Sequence, residues 1–211
     1  MGRCINNFFF FIVFEGIEGT GKSYQINKLC NNLKKLKYKI LKTREPGGSK
    51  TAERIRNLIF AKNSNEFDKL TDYYLMNASR NEHIKKTLLL AKKQKKIVIS
   101  DRFTDSTYAY QVIGNKINKN INKINQDYII KNLKPDLTII LKSNFKSISS
   151  RIKMRKKSNK FDKLKSIFYR KAQNAFLTLA KNNKNYIVYD SSHNTPELEK
   201  KILSIVLKKI K

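Results

Sequence analysis

Five short apolar runs recur along the chain, and longer stretches, several of them amphipathic, separate each run from the next. The runs are rich in Ile, Val, Leu and Phe, which favour buried β-strands. Strands that alternate with helices are typical of an α/β fold, here a five-stranded parallel sheet with helices on both faces. Such folds bind ligands beyond the carboxyl ends of the strands. The predicted strands span residues 8–15, 38–43, 96–100, 137–141 and 186–190.

Helical periodicity fills the stretches between the strands. Apolar residues recur at helical spacing from Ile26 to Leu36, and the longest predicted helix covers about residues 70–93. A last helix is predicted to begin at Pro196, because proline is favoured in a first helical turn. Residues 115–125 (NKINKNINKIN) are of low complexity and fit either a lysine-rich loop or a surface helix without function.

The first predicted strand leads directly into residues 16–23, which read GIEGTGKS. This is the phosphate-binding pattern G-x-x-x-x-G-K-[ST], and it contains three of the chain's seven glycines. Backbone N–H groups of such a loop bind a polyphosphate, while Lys22 would contact the β- and γ-phosphates and Ser23 would bind Mg²⁺. The predicted nucleoside triphosphate site comprises Gly16, Ile17, Glu18, Gly19, Thr20, Gly21, Lys22 and Ser23.

Polar residues also follow the second and third predicted strands. Residues 43–48 (TREPGG) combine Arg44 with the rigid backbone of Pro46, although a plain turn is an alternative reading. The third strand ends at Asp101 and Arg102. A carboxylate there can hold Mg²⁺ and an arginine can bind a second phosphate, whereas a simple surface ion pair is the alternative.

The formal charge of +30 raises the possibility of nucleic-acid binding. However, only nine of the 46 basic residues are arginine, which indicates drift toward lysine wherever a solvated charge suffices. The basic runs 31–39, 85–96 and 151–165 are mostly aliphatic between their lysines, unlike the aromatic-interleaved surfaces that bind single strands. Nucleic-acid binding is therefore disfavoured, and the retained arginines become informative because lysine cannot replace them at bidentate contacts.

The length of 211 residues predicts one domain, and no stretch is long enough to span a membrane. Cys4 and Cys30 lack metal-ligand spacing, and Cys30 is predicted to be a core thiol, which fits a reducing cytoplasm. We predict that His83 and His193 lie on the surface and take no part in the chemistry.

Several segments together resemble bacterial thymidylate kinase over about residues 8–200. The resemblance implies a P-loop nucleoside monophosphate kinase fold with a lid at about residues 150–165. It also implies transfer of a phosphoryl group from ATP to dTMP in dTTP synthesis, with Mg²⁺ as cofactor and a homodimer as the assembly. The matching segments are FEGIEGTGKS, TREPGG, MNASR (76–80), SDRFTDSTYAYQ (100–111) and PDLTIIL (135–141).

The resemblance further implies a role for each matching residue of the dTMP site. Residues near the phosphates and the metal are Lys22, Arg44, Asp101 and Arg102, and Pro46 belongs to the dTMP site without a separate role. Glu18 would meet the 3′-hydroxyl, Arg80 and Thr107 would read the thymine edge, and Tyr110 with Gln111 would lie against the 2′ position of the sugar. Met76 stands where the family usually has a phenylalanine that stacks on thymine, which predicts a less rigid base contact.

The resemblance places the catalytic arginine in the lid, because residues 17–20 contain no arginine. Arg155 matches that catalytic position, and Arg151 matches a residue that packs on adenine. A solvated basic helix is the alternative. The lid also has Asn159 and Lys160 in place of an Asp-Arg pair, which predicts looser substrate binding.

Two other functions fit parts of the pattern. The first is another deoxynucleoside or nucleoside monophosphate kinase, since Met76 weakens the assignment of the base. The second, from a different class, is a basic P-loop ATPase that binds nucleic acid, which the charge alone would favour.

Overall fold

The computed structural model describes residues 7–61, 67–154, 166–181, 183–193 and 195–210. Its strands form one sheet in the order β2-β3-β1-β4-β5, and every neighbouring pair is parallel. The five predicted strands are confirmed, with ends that differ from the prediction by no more than two residues. The strands are β1 Phe10–Glu15, β2 Ile40–Arg44, β3 Ile97–Asp101, β4 Leu137–Lys142 and β5 Tyr186–Asp190.

Helices cover both faces of this sheet. The predicted helix over residues 70–93 is confirmed, as three helical segments in direct succession: α3 (Lys69–His83), a π-helical turn (Ile84–Leu88) and α4 (Leu89–Lys93). A second π-helical turn, Tyr108–Gly114, follows α5 (Thr104–Thr107). The last helix begins at Pro196 as predicted, with the Thr195 side chain accepting a hydrogen bond from the Leu198 N–H. The helices are α1 Lys22–Lys35, α2 Lys50–Ile59, α3 Lys69–His83, the π turn Ile84–Leu88, α4 Leu89–Lys93, α5 Thr104–Thr107, α6 Lys119–Ile130, α7 Phe145–Lys153, α8 Ser166–Ala180 and α9 Pro196–Lys209.

Strand β1 lies at the centre of the sheet and is buried on both faces. Ile12 and Phe14 pack in a cluster that includes Cys30 and residues of α1 and α9, so Cys30 is the core thiol that the sequence predicted. Phe11 and Val13 point the other way, into a cluster with residues of α4 and of the π turn before it. Burying each of these large side chains contributes about 1.5–3 kcal/mol, so the strand that leads into the phosphate loop is firmly anchored.

All five strands end at one edge of the sheet because they are parallel. Arg44 at the end of β2 is in register with Asp101 at the end of β3, and Asp101 is in register with Phe14 of β1. The sheet therefore brings together the three sequence motifs that were predicted to carry chemistry.

Helix α6 settles the two alternatives for residues 115–125 in favour of a surface helix from Lys119 onward. Its isoleucines Ile121 and Ile124 face solvent, whereas Gln126 is buried. No helix among the described residues is long and apolar enough to cross a membrane.

Candidate active site

The loop between β1 and α1 has the geometry of a phosphate cradle. Gly16 has φ 137°, and a Cβ there would lie 2.3 Å from the Leu141 carbonyl oxygen, so only glycine fits. Lys22 is buried and donates hydrogen bonds to the carbonyls of Gly16 at 2.8 Å and Ile17 at 2.9 Å. Burial and the nearby Arg102 guanidinium lower the pKa of Lys22 to about 8. A polyphosphate beside Lys22 would offset both effects.

Ser23, at the start of α1, faces Asp101, at the end of β3. The Ser23 hydroxyl donates to Asp101 Oδ2 at 3.1 Å, while Asp101 Oδ1 is buried without a hydrogen-bond partner among the described residues. A buried carboxylate oxygen that lacks a donor fits a hard cation. Mg²⁺ is commonly held by one or two carboxylates together with phosphate oxygens and water, so this pair matches its ligand chemistry.

Arg102 is the centre of a second cluster, which also contains Glu18 and Tyr110. Its Nη2 donates to Glu18 Oε1 at 2.7 Å and its Nη1 donates to Ser106 Oγ at 2.8 Å. Tyr110 donates its hydroxyl proton to the other oxygen of Glu18. Burial raises the pKa of Tyr110 well above its ordinary value, and the negative charge of Glu18 adds to the effect, so the phenol stays protonated. Glu18 and Tyr110, both assigned to the sugar by the family resemblance, thus lie together.

Glu15, the residue before the phosphate loop, holds this cluster from behind. It is fully buried and accepts hydrogen bonds from the Phe103 N–H at 2.8 Å and from the Ser106 hydroxyl at 2.6 Å. Burial raises its pKa to about 7, and the nearby Asp105 carboxylate adds to the shift. Sequence reasoning missed Glu15 because it reads as the last residue of an apolar strand.

Arg80 lies on α3 and is held on several sides. Its Nε donates to Glu45 at 2.8 Å, and its Nη2 donates to the Phe103 carbonyl at 2.9 Å and to Thr107 Oγ1 at 3.0 Å. The structure therefore places Arg80 and Thr107, the two predicted readers of thymine, in direct contact.

His83 is fully buried, so the prediction that it lies on the surface is wrong. Its ring contacts Glu45 Oε1 at 2.9 Å through Nδ1 and Thr43 Oγ1 at 2.7 Å through Nε2. The TREPGG segment folds onto α3 and covers this side of the helix, which the local sequence does not reveal. His193 is exposed as predicted.

Two arginines lie at the TREPGG segment, Arg44 within it and Arg56 on α2. Arg44 is about half exposed and pairs with Glu53 at 2.9 Å. Arg56, which the sequence analysis did not select, donates from Nη1 to the Pro46 carbonyl at 2.7 Å and packs over the Phe60 ring. Its signal was available, because it is one of only nine arginines in a lysine-rich chain.

A cleft of about 420 Å³ lies between these groups. Most of the predicted site residues line it, and so do several that were not predicted. Gly16, Ile17 and Thr20 lie behind its surface as buried parts of the loop. The predicted residues in its wall are Glu18, Gly19, Gly21, Lys22, Ser23, Arg44, Pro46, Met76, Arg80, Asp101, Arg102, Thr107, Tyr110 and Gln111. The additional residues are Tyr24, Glu45, Arg56, Phe60, Phe103 and Ser106.

Arg151 lies to the side of this cleft, at the end of α7. Its guanidinium donates to the carbonyls of Gly19 at 3.1 Å and Ser192 at 2.8 Å, and so joins the phosphate loop to the segment after β5. Arg155, Asn159 and Lys160 fall outside the described residues.

The phosphate loop lies at the end of the central parallel strand. Beside it are the Arg102 cluster and the Asp101 carboxylate, which is suited to a metal. This combination defines a P-loop kinase of the nucleoside monophosphate class. The family model for thymidylate kinase matches residues 14–202. The thymidylate kinase of Mycoplasma capricolum subsp. capricolum is 38% identical to the chain, and the match covers 95% of this chain and 96% of that protein. The thymidylate kinase of Mycoplasmoides gallisepticum is 37% identical, and the match covers 93% of each. The crystal structure of thymidylate kinase from Ehrlichia chaffeensis superimposes with a TM-score of 0.76 at 30% identity, covering 97% of this chain and all of that one. The chain belongs to the thymidylate kinase family.

Proposed function

We propose that the cleft binds ATP and dTMP end to end and transfers the terminal phosphoryl group of ATP to dTMP, giving ADP and dTDP. The observation that carries this assignment is the contact between Arg102 and Glu18, 2.7 Å apart. It joins the phosphate loop to the wall formed by Thr107 and Tyr110. One continuous cleft thus has a donor end and an acceptor end.

In this proposal, different side chains bind the donor phosphates, the acceptor phosphate, the base and the sugar. Lys22 and the loop N–H groups bind the donor phosphates, while Arg44 and Arg102 bind the phosphate of dTMP. Arg80 and Thr107 contact the base, and Met76 covers its face. Glu18 accepts a hydrogen bond from the 3′-hydroxyl of the sugar. Tyr110, with Gln111 beside it, excludes a hydroxyl group at the 2′ position. Because phosphoryl transfer depends mainly on alignment and on cations around the transferred group, no general base is needed beside these contacts.

Ser23 and Asp101 would hold Mg²⁺, which would neutralise charge on the β- and γ-phosphates when bound. Asp101 Oδ1, which is buried and has no hydrogen-bond partner in the described part of the chain, supports this assignment. Arg151 is proposed to pack near the adenine, because it links Gly19 to Ser192 at the donor end.

The proposal is tested by measuring ADP production with dTMP, dUMP, thymidine and single-stranded DNA as separate additions. We expect dTMP to stimulate turnover most, and we expect EDTA to abolish it until Mg²⁺ is restored. Stimulation by DNA but not by dTMP would instead establish the nucleic-acid-dependent ATPase.

A homodimer is also part of the proposal. Exposed apolar side chains lie close together in sequence at the end of α2 and the start of α3, namely Leu58, Leu70 and Tyr74. Exposed apolar side chains mark a subunit interface where they form one contiguous patch, and we propose that these three do so. Tyr74→Glu should convert the dimer to a monomer in sedimentation velocity, while Ile167→Glu, at an exposed position of α8, should not. A monomeric wild-type chain would contradict the assembly.

We further propose that the whole chain is one kinase domain that works in the cytoplasm. Strands from both halves share the sheet, and α1 and α9 share one core cluster. The free, buried Cys30 thiol is compatible with a reducing compartment. Cell fractionation followed by the dTMP assay tests the location.

The lowered pKa of Lys22 leads to a prediction about proton linkage. At pH 8 roughly half of the free protein carries a neutral Lys22, whereas bound phosphates restore the full charge. Nucleotide binding at pH 8 should therefore take up about 0.5 proton, and the uptake should vanish near pH 6.5. Calorimetric titrations in phosphate and Tris buffers measure the uptake from the difference in apparent enthalpy. Lys22→Arg, which stays charged, is the control, and equal enthalpies for the wild type in both buffers would contradict the prediction.

A further inference from the structure

Arg80 has few hydrogen-bond donors left for a ligand. A guanidinium carries five N–H groups. Contacts to Glu45, the Phe103 carbonyl and Thr107 are joined by one from Nη1 to Asn77 Oδ1 at 3.3 Å. Within the described part of the chain, these contacts use four N–H groups and leave one on Nη1. The direction of that remaining donor depends on how firmly the rest of the guanidinium is held.

Glu45 is the only acidic side chain paired with Arg80 among the described residues, and His83 holds it in turn. Glu45 is almost fully buried. Burial alone would raise the pKa of Glu45, but Arg80 and His83 together bring it below its ordinary value, so the carboxylate is charged. A carboxylate can only accept, so His83 donates from Nδ1 to Oε1, and in the neutral ring Nε2 accepts from the Thr43 hydroxyl. A continuous buried chain thus runs from Thr43 through His83 and Glu45 to Arg80.

The loop around this chain fixes the ring of His83 as well. Gly48 has φ 88°, and a Cβ there would lie 2.4 Å from His83 Cδ2. Thr87 donates to the Gly48 carbonyl at 2.7 Å and so clamps the loop on α3 from the next turn. His83 therefore has no room to turn away from Glu45, although it does not line the cleft itself.

We propose that His83 is a positioning residue for substrate recognition, which orients the Glu45 carboxylate and thereby directs the remaining Arg80 N–H into the cleft. The inference rests on the proposed contact between Arg80 and the base of dTMP. It assigns a substrate-binding role to a buried histidine that touches neither substrate.

A matched pair of substitutions separates this role from simple packing. In His83→Asn the amide nitrogen falls near the place of Nδ1 and can still donate to Glu45. In His83→Gln the longer side chain carries its amide toward Thr43, which leaves Glu45 without this donor. We expect His83→Gln to raise KM for dTMP about tenfold with little change in kcat, and His83→Asn to raise it less than about threefold. A packing role predicts the reverse order, because asparagine fills less of the space.

A double-mutant cycle with Arg80→Met completes the test. If His83 acts through Arg80, His83→Gln should add nothing to the KM of the Arg80→Met enzyme. A full additional tenfold rise, or equal KM values for the two His83 variants, would overturn the inference. An unchanged KM in Arg80→Met would overturn both the base contact and the inference, whereas an impaired Arg80→Met beside a normal His83→Gln would overturn the inference alone.

Thr43→Val provides an independent variant in case His83→Gln does not fold. It removes the hydroxyl that donates to Nε2 and keeps the shape of the side chain. We expect a two- to threefold rise in KM for dTMP, abolished in the Arg80→Met background. An unchanged KM in a folded Thr43→Val enzyme would contradict the proposed chain of contacts.

Discussion

Arg102→Lys should lower kcat/KM for dTMP by about 10³-fold, since removing a cation or donor from a phosphoryl-transfer site costs that order of magnitude. Arg102 uses one nitrogen for Glu18 and another for Ser106, and the planar fork leaves further donors for a phosphate. A lysine ammonium is a single point charge and cannot keep both contacts and still bind the phosphate. Steady-state kinetics with dTMP as the varied substrate measures the loss.

The backbone at Arg102 is held in a conformation that is costly for a residue with a side chain. Its φ is 75°, a left-handed conformation that costs a residue with a Cβ about 1 kcal/mol. Hydrogen bonds from Arg102 N–H to the Phe14 carbonyl and from Phe103 N–H to Glu15 hold the turn. Lysine bears the same backbone cost, so the substitution isolates the side chain.

The control for this experiment is Arg54→Lys, at an exposed position of α2. It should leave kcat/KM unchanged, and the thermal unfolding midpoints of both variants should show that each is folded. A loss of less than tenfold in Arg102→Lys would remove Arg102 from the phosphate site.

The sequence predicted the sheet and the motif residues because both depend on local signals. Apolar runs mark the strands, and parallel strands necessarily bring their carboxyl ends to one edge. The family resemblance assigned Glu18 and Tyr110 to the sugar and Arg80 and Thr107 to the base, but it did not predict the direct contacts within each pair. Glu18 and Tyr110, which are 92 positions apart, are hydrogen-bonded, and Arg80 contacts Thr107 across 27 positions.

The residues that support the motifs could not be predicted in this way. His83 follows Asn81 and Glu82 in a polar stretch, and its burial arises only when TREPGG folds onto α3. In α6 the helically spaced isoleucines Ile121 and Ile124 are exposed. Gln126 of the same helix is buried and donates to Asn77 at 2.8 Å. Asn77 also accepts a hydrogen bond from Arg80, so α6 packs against the residues that hold Arg80. Such hydrogen-bond networks have no sequence period, so only the tertiary structure reveals them.

The support of the phosphate loop also bears on where the catalytic arginine lies. Lys22 is the only cation that the loop itself contains, since residues 17–20 have no arginine. Arg151 holds the end of α7 against Gly19 of the phosphate loop, so the last described residues before Arg155 belong to a helix that contacts this loop. Arg155 is the first arginine after that point.

Arg155→Ala should therefore lower kcat by about 10³-fold, the range measured when a transition-state arginine is removed from a phosphoryl-transfer enzyme. The dissociation constant for dTMP, measured by calorimetry, should change less than about twofold, because the arginine would act on the transferred group rather than on the acceptor. Lys153→Ala, an exposed cation two residues earlier, should leave kcat unchanged and shows that loss of charge alone is not responsible. An unaltered kcat in Arg155→Ala would leave Arg102 and Lys22 as the cations at the transferred group. In that case the described cleft would hold all the cations that transfer requires.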